Sequence, residues 1–340
     1  MTAPVPDISA VSLEAIRATT ASLSADIRRT PCLTLDSGLM ARILGGGAAV
    51  LKLECFQHTG TFKARGALSV ARSLDADQRG RGITAASAGN HAIAAAWAAR
   101  QVGASAKVVI QSNANPFRVA LAQAEGADVI MKAPGAETFA EAERLVREEG
   151  RTFIHPFEGP LTSRGTAGVG LELMEDAPDL DAVVVSIGGG GLISGIAAAV
   201  KQINPACKVY GVEPKGAASM HASLASGAPV HLDHVITIAD SLGAPMSLPL
   251  GHALCTAYVD EVVLLDDDSI CAGMVAFQQE AKLAVEPAAG AALAAVLGPL
   301  RERLQGKRVG VIVCGANIDS ETYLRLMAQG QNRFDALTAS

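Results

Sequence analysis

Residues 58–67 read HTGTFKARGA, which sets Lys63 between bulky Phe62 and small Ala64, with Arg65 just beyond. An amine that reacts with a carbonyl must be partly desolvated or held near another cation, because at its ordinary pKa of about 10.4 it stays protonated. Phe62 is a candidate apolar wall and Arg65 a candidate cation. A second stretch, Gly188–Gly191, is four consecutive glycines. Without Cβ atoms such a backbone can close on an anion and aim several N–H groups at it, and a following helix adds its positive end. The run is neither GxGxxG nor GxxxxGK[ST], so it points to a phosphate cradle rather than a dinucleotide fold or a P-loop. SAGNHA, residues 87–92, sets Ser87 and Asn90 around Gly89 and could hold a carboxylate on exposed N–H groups. Taken alone it reads more readily as ordinary helix capping by Ser87 or Asn90. CGAN (Cys314–Asn317) and AVEPAAG, with Glu286 ahead of Pro287, taken alone read as a buried thiol and a helix start.

These residues need a frame that brings distant stretches together. From residue 82 the pattern alternates. GITAAS reads as a strand, NHAIAAAWAARQVG as a helix stopped by Gly103, and AKVVIQ as a strand. Asn115-Pro116 opens the helix FRVALAQAEG with cap and first-turn proline in the preferred order. ADVIMKA, ETFAEAERLVREEG and TFIHPF continue as strand, helix and strand. A second series follows, with GTAGVGLELMED, GGLISGIAAAVKQI, DSICAGMVAFQQEAKLA and PAAGAALAAVLGPLRERL as helices. DAVVVSIG, KVYGVEP, EVVLLDD and RVGVIVCG are its strands. The fold class is therefore α/β, with two open parallel-sheet domains carrying helices on both faces and interleaved, since no linker separates them. Ligands of parallel sheets sit beyond the carboxyl ends of the strands, where the glycine run, SAGNHA and CGAN all fall.

Composition narrows the function classes. Hydrophobic residues make up 49% of the 340, enough for a large core, and aromatics only 4%, so that core is mostly Ala, Val, Leu and Ile. A net charge of −6 without basic blocks argues against a nucleic-acid surface. The N-terminus lacks the pattern of a signal peptide, and the apolar runs are too broken by glycine to span a membrane. Six scattered cysteines without CxxC fit reduced thiols and a cytoplasmic location. His221, His231 and His234 read as solvated loop histidines.

TFKARGA, SAGNHA, GGGGL, VEPKGAASM, IAD, VEPAAGA and CGAN occur in that order between about residues 29 and 319. The ordered set resembles the fold type II family of pyridoxal-phosphate enzymes (the tryptophan synthase β-like architecture), and most closely its threonine/serine dehydratase and serine racemase branch. The resemblance implies a large cofactor domain, residues 1–78 plus 159–330, a small mobile domain, 79–158, inserted in it, and a tail, 331–340. It implies that Lys63 forms the Schiff base with pyridoxal 5'-phosphate and removes the substrate Cα proton. Phe62 would pack beside the ring, Asn90 would bond its 3-oxygen, and Gly188, Gly189, Gly190, Gly191 and Leu192 would hold its phosphate. Cys314 would meet the pyridine nitrogen, and Glu286 would lie near the cofactor edge. Ser87, Ala88, Gly89 and His91 would hold the substrate carboxylate. Some relatives bind a cation through a glutamate matching Glu213; here Ser219 stands where their aspartate would, which disfavours a divalent ion and leaves a monovalent one.

The implied reaction is loss of water from a β-hydroxy amino acid, giving a 2-oxo acid and ammonia. The implied assembly is a homo-oligomer, dimer or tetramer. The nearest rival is racemisation, which needs an acid opposite the lysine; relatives that racemise tend to carry serine where this chain has Ala88. The same framework also admits a larger substrate such as 3-hydroxyaspartate or phenylserine. A non-catalytic ligand-binding relative would share it too, but the intact Lys63 speaks against that. Ser241, where many dehydratases carry glycine, leaves residues 240–256 open as to substrate choice.

Overall fold

Among the described residues (6–87, 89–133 and 136–339 of a computed structural model), ten strands form two sheets. The strands are β1 (Cys32–Leu35), β2 (Ala48–Lys52), β3 (Ile83–Ser87), β4 (Ala106–Gln111) and β5 (Asp128–Lys132). They continue with β6 (Thr152–Phe153), β7 (Ala182–Ser186), β8 (Lys208–Pro214), β9 (Glu261–Leu265) and β10 (Arg308–Ile312). One sheet runs β1-β2-β10-β7-β8-β9 and the other β5-β4-β3-β6. Every pairing is parallel except that of the edge strand β1 with β2. The chain thus leaves the six-stranded sheet after β2, builds the four-stranded one, and returns with β7.

The sequence explains the layering. β7, AVVVS, is buried at all five positions, as a central parallel strand covered on both faces must be. The helix Pro287–Leu297 is buried at every position and packs against β7, β8, β9 and β10. Its all-apolar PAAGAALAAVL suits a helix inside the fold rather than on it. The four-stranded sheet has its own core, in which Trp97 and the alanines of the helix Asn90–Gln101 meet Ile83, Val108 and Ile110. Leu23, Ile27, Ala64, Ala67 and Leu68 join that core from sequence preceding the inserted sheet. The helix Lys63–Arg72 therefore lies at the seam, touching both Asn90–Gln101 and the helix Pro160–Asp176.

Four elements differ from expectation. TFIHPF pairs only at Thr152–Phe153: Ile154 still bonds Thr84 O at 2.9 Å, but His155 Nδ1 then accepts N–H groups from Phe157 and Glu158 and turns the chain. The last helical stretch of the second series stops at Leu297, since Gly298 and Pro299 follow it. The helix after β9 passes into a π turn, Phe277–Ala281, closed by Lys282 at φ 59°. The expected tail is instead the end of a 19-residue helix, Ser320–Thr338, started by Asp319 accepting from Thr322 N and anchored by buried Leu326 and Phe334. No described helix is long and apolar enough to cross a membrane.

Candidate active site

Lys63 is held by a seam between two loops. Cys55 N bonds Val313 O, Phe62 N bonds Cys314 O at 3.1 Å, and Ala316 N bonds Gly60 O, so the loop before Lys63 is stitched to the end of β10. The Lys63 amine donates to Pro156 O at 2.8 Å and lies 5.0 Å from the centroid of the Phe62 ring. Burial pulls its pKa down to about 8, against small opposing pulls from Cys314 and Glu286. The cause is desolvation alone, because Arg65 does not face this amine. Residues two apart on a helix point to opposite sides. Arg65 turns away into a buried network, bonding Glu54 (2.8 Å) and Glu172 (2.7 Å), with Lys52 on Glu172 at 2.7 Å. The expectation that Arg65 supplies the activating cation is thus corrected.

Every residue expected around the cofactor lines one cavity: Phe62, Lys63, Asn90, Gly188 to Gly191, Leu192, Glu286 and Cys314. The helix Gly191–Ile203 starts from Gly190, whose φ of +95° a side chain would resist, and no side chain caps it. Its first N–H groups are left for an anion. Cys314 is 3% exposed, burial pushes its thiol pKa up, and Ser186 donates to its sulfur at 3.6 Å. It is a neutral thiol. Asn90 Nδ2 lies 2.9 Å from each oxygen of Glu286, while its Oδ1 accepts from Asn317 Nδ2 at 2.9 Å. Burial raises the Glu286 pKa, and Arg118 and Asn90 oppose the shift.

A second cavity adjoins the first. It is lined by Lys63, Ser87, Gly89, Asn90 and His91 on one side, and on others by Arg118, Asp240, Ser241, Phe139, Phe157 and Pro245. Ser87 Oγ accepts from Gly89 N at 2.9 Å. His91 Nε2 is 2.8 Å from Ile154 O, so that nitrogen must carry the proton; burial and the nearby Lys63 hold its pKa at about 3. Ala88 lies outside the described residues.

Glu213 stands apart. Its two oxygens accept from Met220 N and His221 N at 2.8 Å, so the carboxylate caps the helix Ser219–Ser226 rather than facing a ligand. Among the described residues no group of three or more His, Cys, Asp or Glu is placed to hold a metal ion. Glu213, named from the sequence as a candidate cation ligand with a divalent ion already disfavoured, is thus engaged by backbone N–H groups. His221, His231 and His234 are exposed.

Sequence reasoning passed over Arg118, Phe139 and Phe157. Arg118 was findable, because it opens the helix directly beyond β4, where the strand-end rule directs attention. Phe139 carried no such signal, since an aromatic in an amphipathic helix reads as core, and Phe157 was read as the end of the strand TFIHPF.

A reactive lysine at the mouth of a parallel sheet, an uncapped glycine-lined helix start and a neutral thiol together define an enzyme class built around an aldehyde-bearing, phosphorylated cofactor. The chain matches the family described as "Pyridoxal-phosphate dependent enzyme" over residues 23–315, and it belongs to that family. It is 45% identical over 329 residues to phenylserine dehydratase of Ralstonia pickettii, covering 97% of this chain and 98% of the relative. It is 36% identical over 321 residues to L-threonine ammonia-lyase of Thermotoga maritima, covering 94% and 79%. Among solved structures it superposes on maize serine racemase with a TM-score of 0.88 at 34% identity, covering 95% of this chain and 99% of that one. The donor set fits the cofactor: an amine with lowered pKa for the aldehyde, free helix N–H groups for the phosphate, and a thiol facing the same cavity.

Proposed function

We propose that this enzyme removes water from a β-hydroxy amino acid with a bulky apolar side chain, 3-phenylserine being the model, to give the 2-oxo acid and ammonia. The chain is a pyridoxal-phosphate-dependent lyase of the dehydratase type; the size and polarity of the substrate are the new element. The observation that carries it is the lining of the second cavity, where Phe139, Pro156, Phe157, Ala244 and Pro245 supply apolar surface to the space that Lys63 also lines. A phenyl ring gains from such a wall, and a hydroxymethyl group does not. The 45% identity to a phenylserine dehydratase supports the same reading.

When bound, the cofactor supplies an electron sink for the substrate Cα. Lys63 is assigned to covalent attachment of the cofactor and to carrying the Cα proton. With a pKa of about 8, an appreciable fraction of its amine is neutral near neutral pH, and Pro156 O fixes its direction. Phe62, Asn90 and Glu286 would hold the cofactor ring in the cavity that they line. The N–H groups at Gly188 to Leu192 hold the phosphate. Ser87, Gly89 and His91 orient the substrate carboxylate, leaving its Cβ substituent against Phe139 and Phe157. Cys314 would offer the pyridine nitrogen a thiol rather than a carboxylate. That favours prompt loss of the β-hydroxyl over transamination. Six free cysteines fit a reducing compartment, and we place the enzyme in the cytoplasm as a homo-oligomer.

The test is a panel of threo-phenylserine, threonine, serine and 3-hydroxyaspartate, scored for ammonia, 2-oxo acid and inversion at Cα. Phenylserine should give the highest kcat/KM, and Phe139→Ala should cut its advantage over threonine about tenfold. A wild-type preference for serine, or racemisation faster than elimination, would sink the reading.

A further inference from the structure

One arginine crosses the cleft. Arg118 belongs to the four-stranded unit, three residues into the helix begun by Asn115 and Pro116, and its side chain is almost wholly buried. Its guanidinium reaches three groups of the six-stranded unit. Nε donates to Asn317 O at 2.9 Å, Nη1 donates to Asp240 Oδ2 at 2.5 Å, and Nη2 lies 3.5 Å from Glu286 Oε2. On its way it passes over Gly89, where a Cβ would stand 2.4 Å from Arg118 Cδ. Nothing larger than glycine fits beneath that side chain, so Gly89, at the start of the helix Asn90–Gln101, is packed directly against Arg118. A second bridge joins the same helix to the other unit, from Asn115 Nδ2 to Asp319 Oδ2 at 2.5 Å.

We propose that Arg118 is a positioning residue that clamps the four-stranded unit over the six-stranded one, and by pressing on Gly89 sets the carboxylate-holding loop and Asn90 at the distance from Lys63 that substrate requires. Three partners on three separate segments, Asp240, Glu286 and the residue after Ala316, give one planar fork its fixed direction, which a lysine could not reproduce. Asp240 sits at the rim with a side chain 46% exposed, whereas Arg118 is buried beneath it. The clamp is therefore buried on the Arg118 side and reachable by solvent on the Asp240 side. This inference rests on the dehydratase reading for its kinetic consequence only.

The test uses the cofactor-loaded enzyme with Arg118→Met, Arg118→Lys, Asp240→Asn and the Met/Asn double variant. Arg118→Met should raise KM for phenylserine about tenfold while kcat changes about threefold or less, the signature of lost binding rather than lost chemistry. Arg118→Lys should recover part of that loss. Asp240→Asn changes an exposed side chain and cannot be dismissed as misfolded; it should raise KM less, and adding it to Arg118→Met should cost nothing further. Hydrogen exchange reads the clamp without turnover: amides of 87–91 and 116–124 should exchange faster in Arg118→Met, those of β7 and β10 unchanged. Unchanged KM and exchange, a loss confined to kcat, or fully multiplicative effects of the two substitutions would each overturn the proposal. If the wild type proves inactive on every β-hydroxy amino acid but the exchange pattern changes as stated, the clamp stands and the dehydratase reading fails.

Discussion

Two buried groups of charges lie on either side of one helix, and they are built to opposite ends. Behind the helix Lys63–Arg72, Arg65 and Lys52 face Glu54 and Glu172, two cations against two anions. Thr30 adds its hydroxyl to Glu54 and its carbonyl to Lys52, so the polar atoms there are met. Burial disfavours the Arg65 charge, but the two carboxylates outweigh it and raise its pKa. In front of the helix Arg118 pairs with Asp240 and Glu286, but the Lys63 amine donates to a neutral carbonyl, Pro156 O. Burial lowers Lys63 to about 8 and His155 to about 4, and raises Glu286 and Cys314. The rear group is a balanced scaffold, whereas the front one holds several groups that burial shifts from their ordinary ranges. Perturbed groups clustered in a cleft are what an active site shows, while a balanced network fixes geometry. Lys63 and Arg65 are two residues apart, and the helix alone sends them to these different fates.

The largest effect expected from breaking the contrast is at Lys63. Lys63→Ala should abolish turnover and the visible absorbance of the bound cofactor, and borohydride trapping of the wild type should label Lys63. Thermal stability should barely fall, because the substitution removes an unbalanced buried amine. A strongly destabilised Lys63→Ala would mean that the front group is scaffold too.

The reverse is expected at Arg65. Arg65→Met leaves two buried carboxylates facing Lys52 alone, and breaking such a pair costs about 3–5 kcal/mol. Tm should fall steeply, while the fraction that stays folded should keep its cofactor absorbance and KM. Adding Glu172→Gln to Arg65→Met should recover part of the stability by removing one stranded charge. A folded Arg65→Met enzyme with normal Tm but altered Lys63 titration would merge the two regions into one.

Much of this was legible in the chain, for physical reasons that differ by residue. The parallel strands β4 and β8 were read to their last residue, because a strand buried on both faces is a short apolar run ended by polar or glycine neighbours. The glycine run and Lys63 were visible because few structural roles need four glycines or a lysine beside Phe62. The strands β1 and β2 were not anticipated, since each is only four or five residues long and CLTL, at the sheet edge, is largely open to solvent. Arg65 was misdirected because its partners lie 11 and 107 residues away, beyond any local pattern. Arg118 and Asp240, 122 residues apart, meet only because two sheets face each other.

Cys314 offers a subtler way to sharpen the comparison, since its buried thiol lines the same cavity as Lys63 and the glycine run. Its thiol is buried, and burial holds its pKa above the ordinary range. Cys314→Asp would place a carboxylate there, keep the ring nitrogen protonated and deepen the electron sink. The expected outcome is a rise in transamination products relative to 2-oxo acid formed by elimination, measured by chromatography after fixed turnover. An unchanged product ratio would show that the residue at this position does not govern the partition.

The smallest expected effect lies outside both groups, at Glu213, and it tests whether an isolated buried carboxylate behaves like either. Glu213 has no cation beside it; its partners are the N–H groups of Met220 and His221. Burial raises its pKa to about 7, and those two hydrogen bonds restrain the rise. A carboxyl group whose folded-state pKa exceeds its unfolded value binds its proton more tightly when folded. Its contribution to stability is therefore full below about pH 4 and is lost as pH climbs toward 7, on the order of 1–3 kcal/mol across that window. Glu213→Gln cannot titrate, so the difference in Tm between wild type and variant should change with pH between 4.5 and 7 and stay level above it. A wild-type advantage that instead grows with pH would mean that the charged form is the favoured one, held by the helix N-terminus or by a cation.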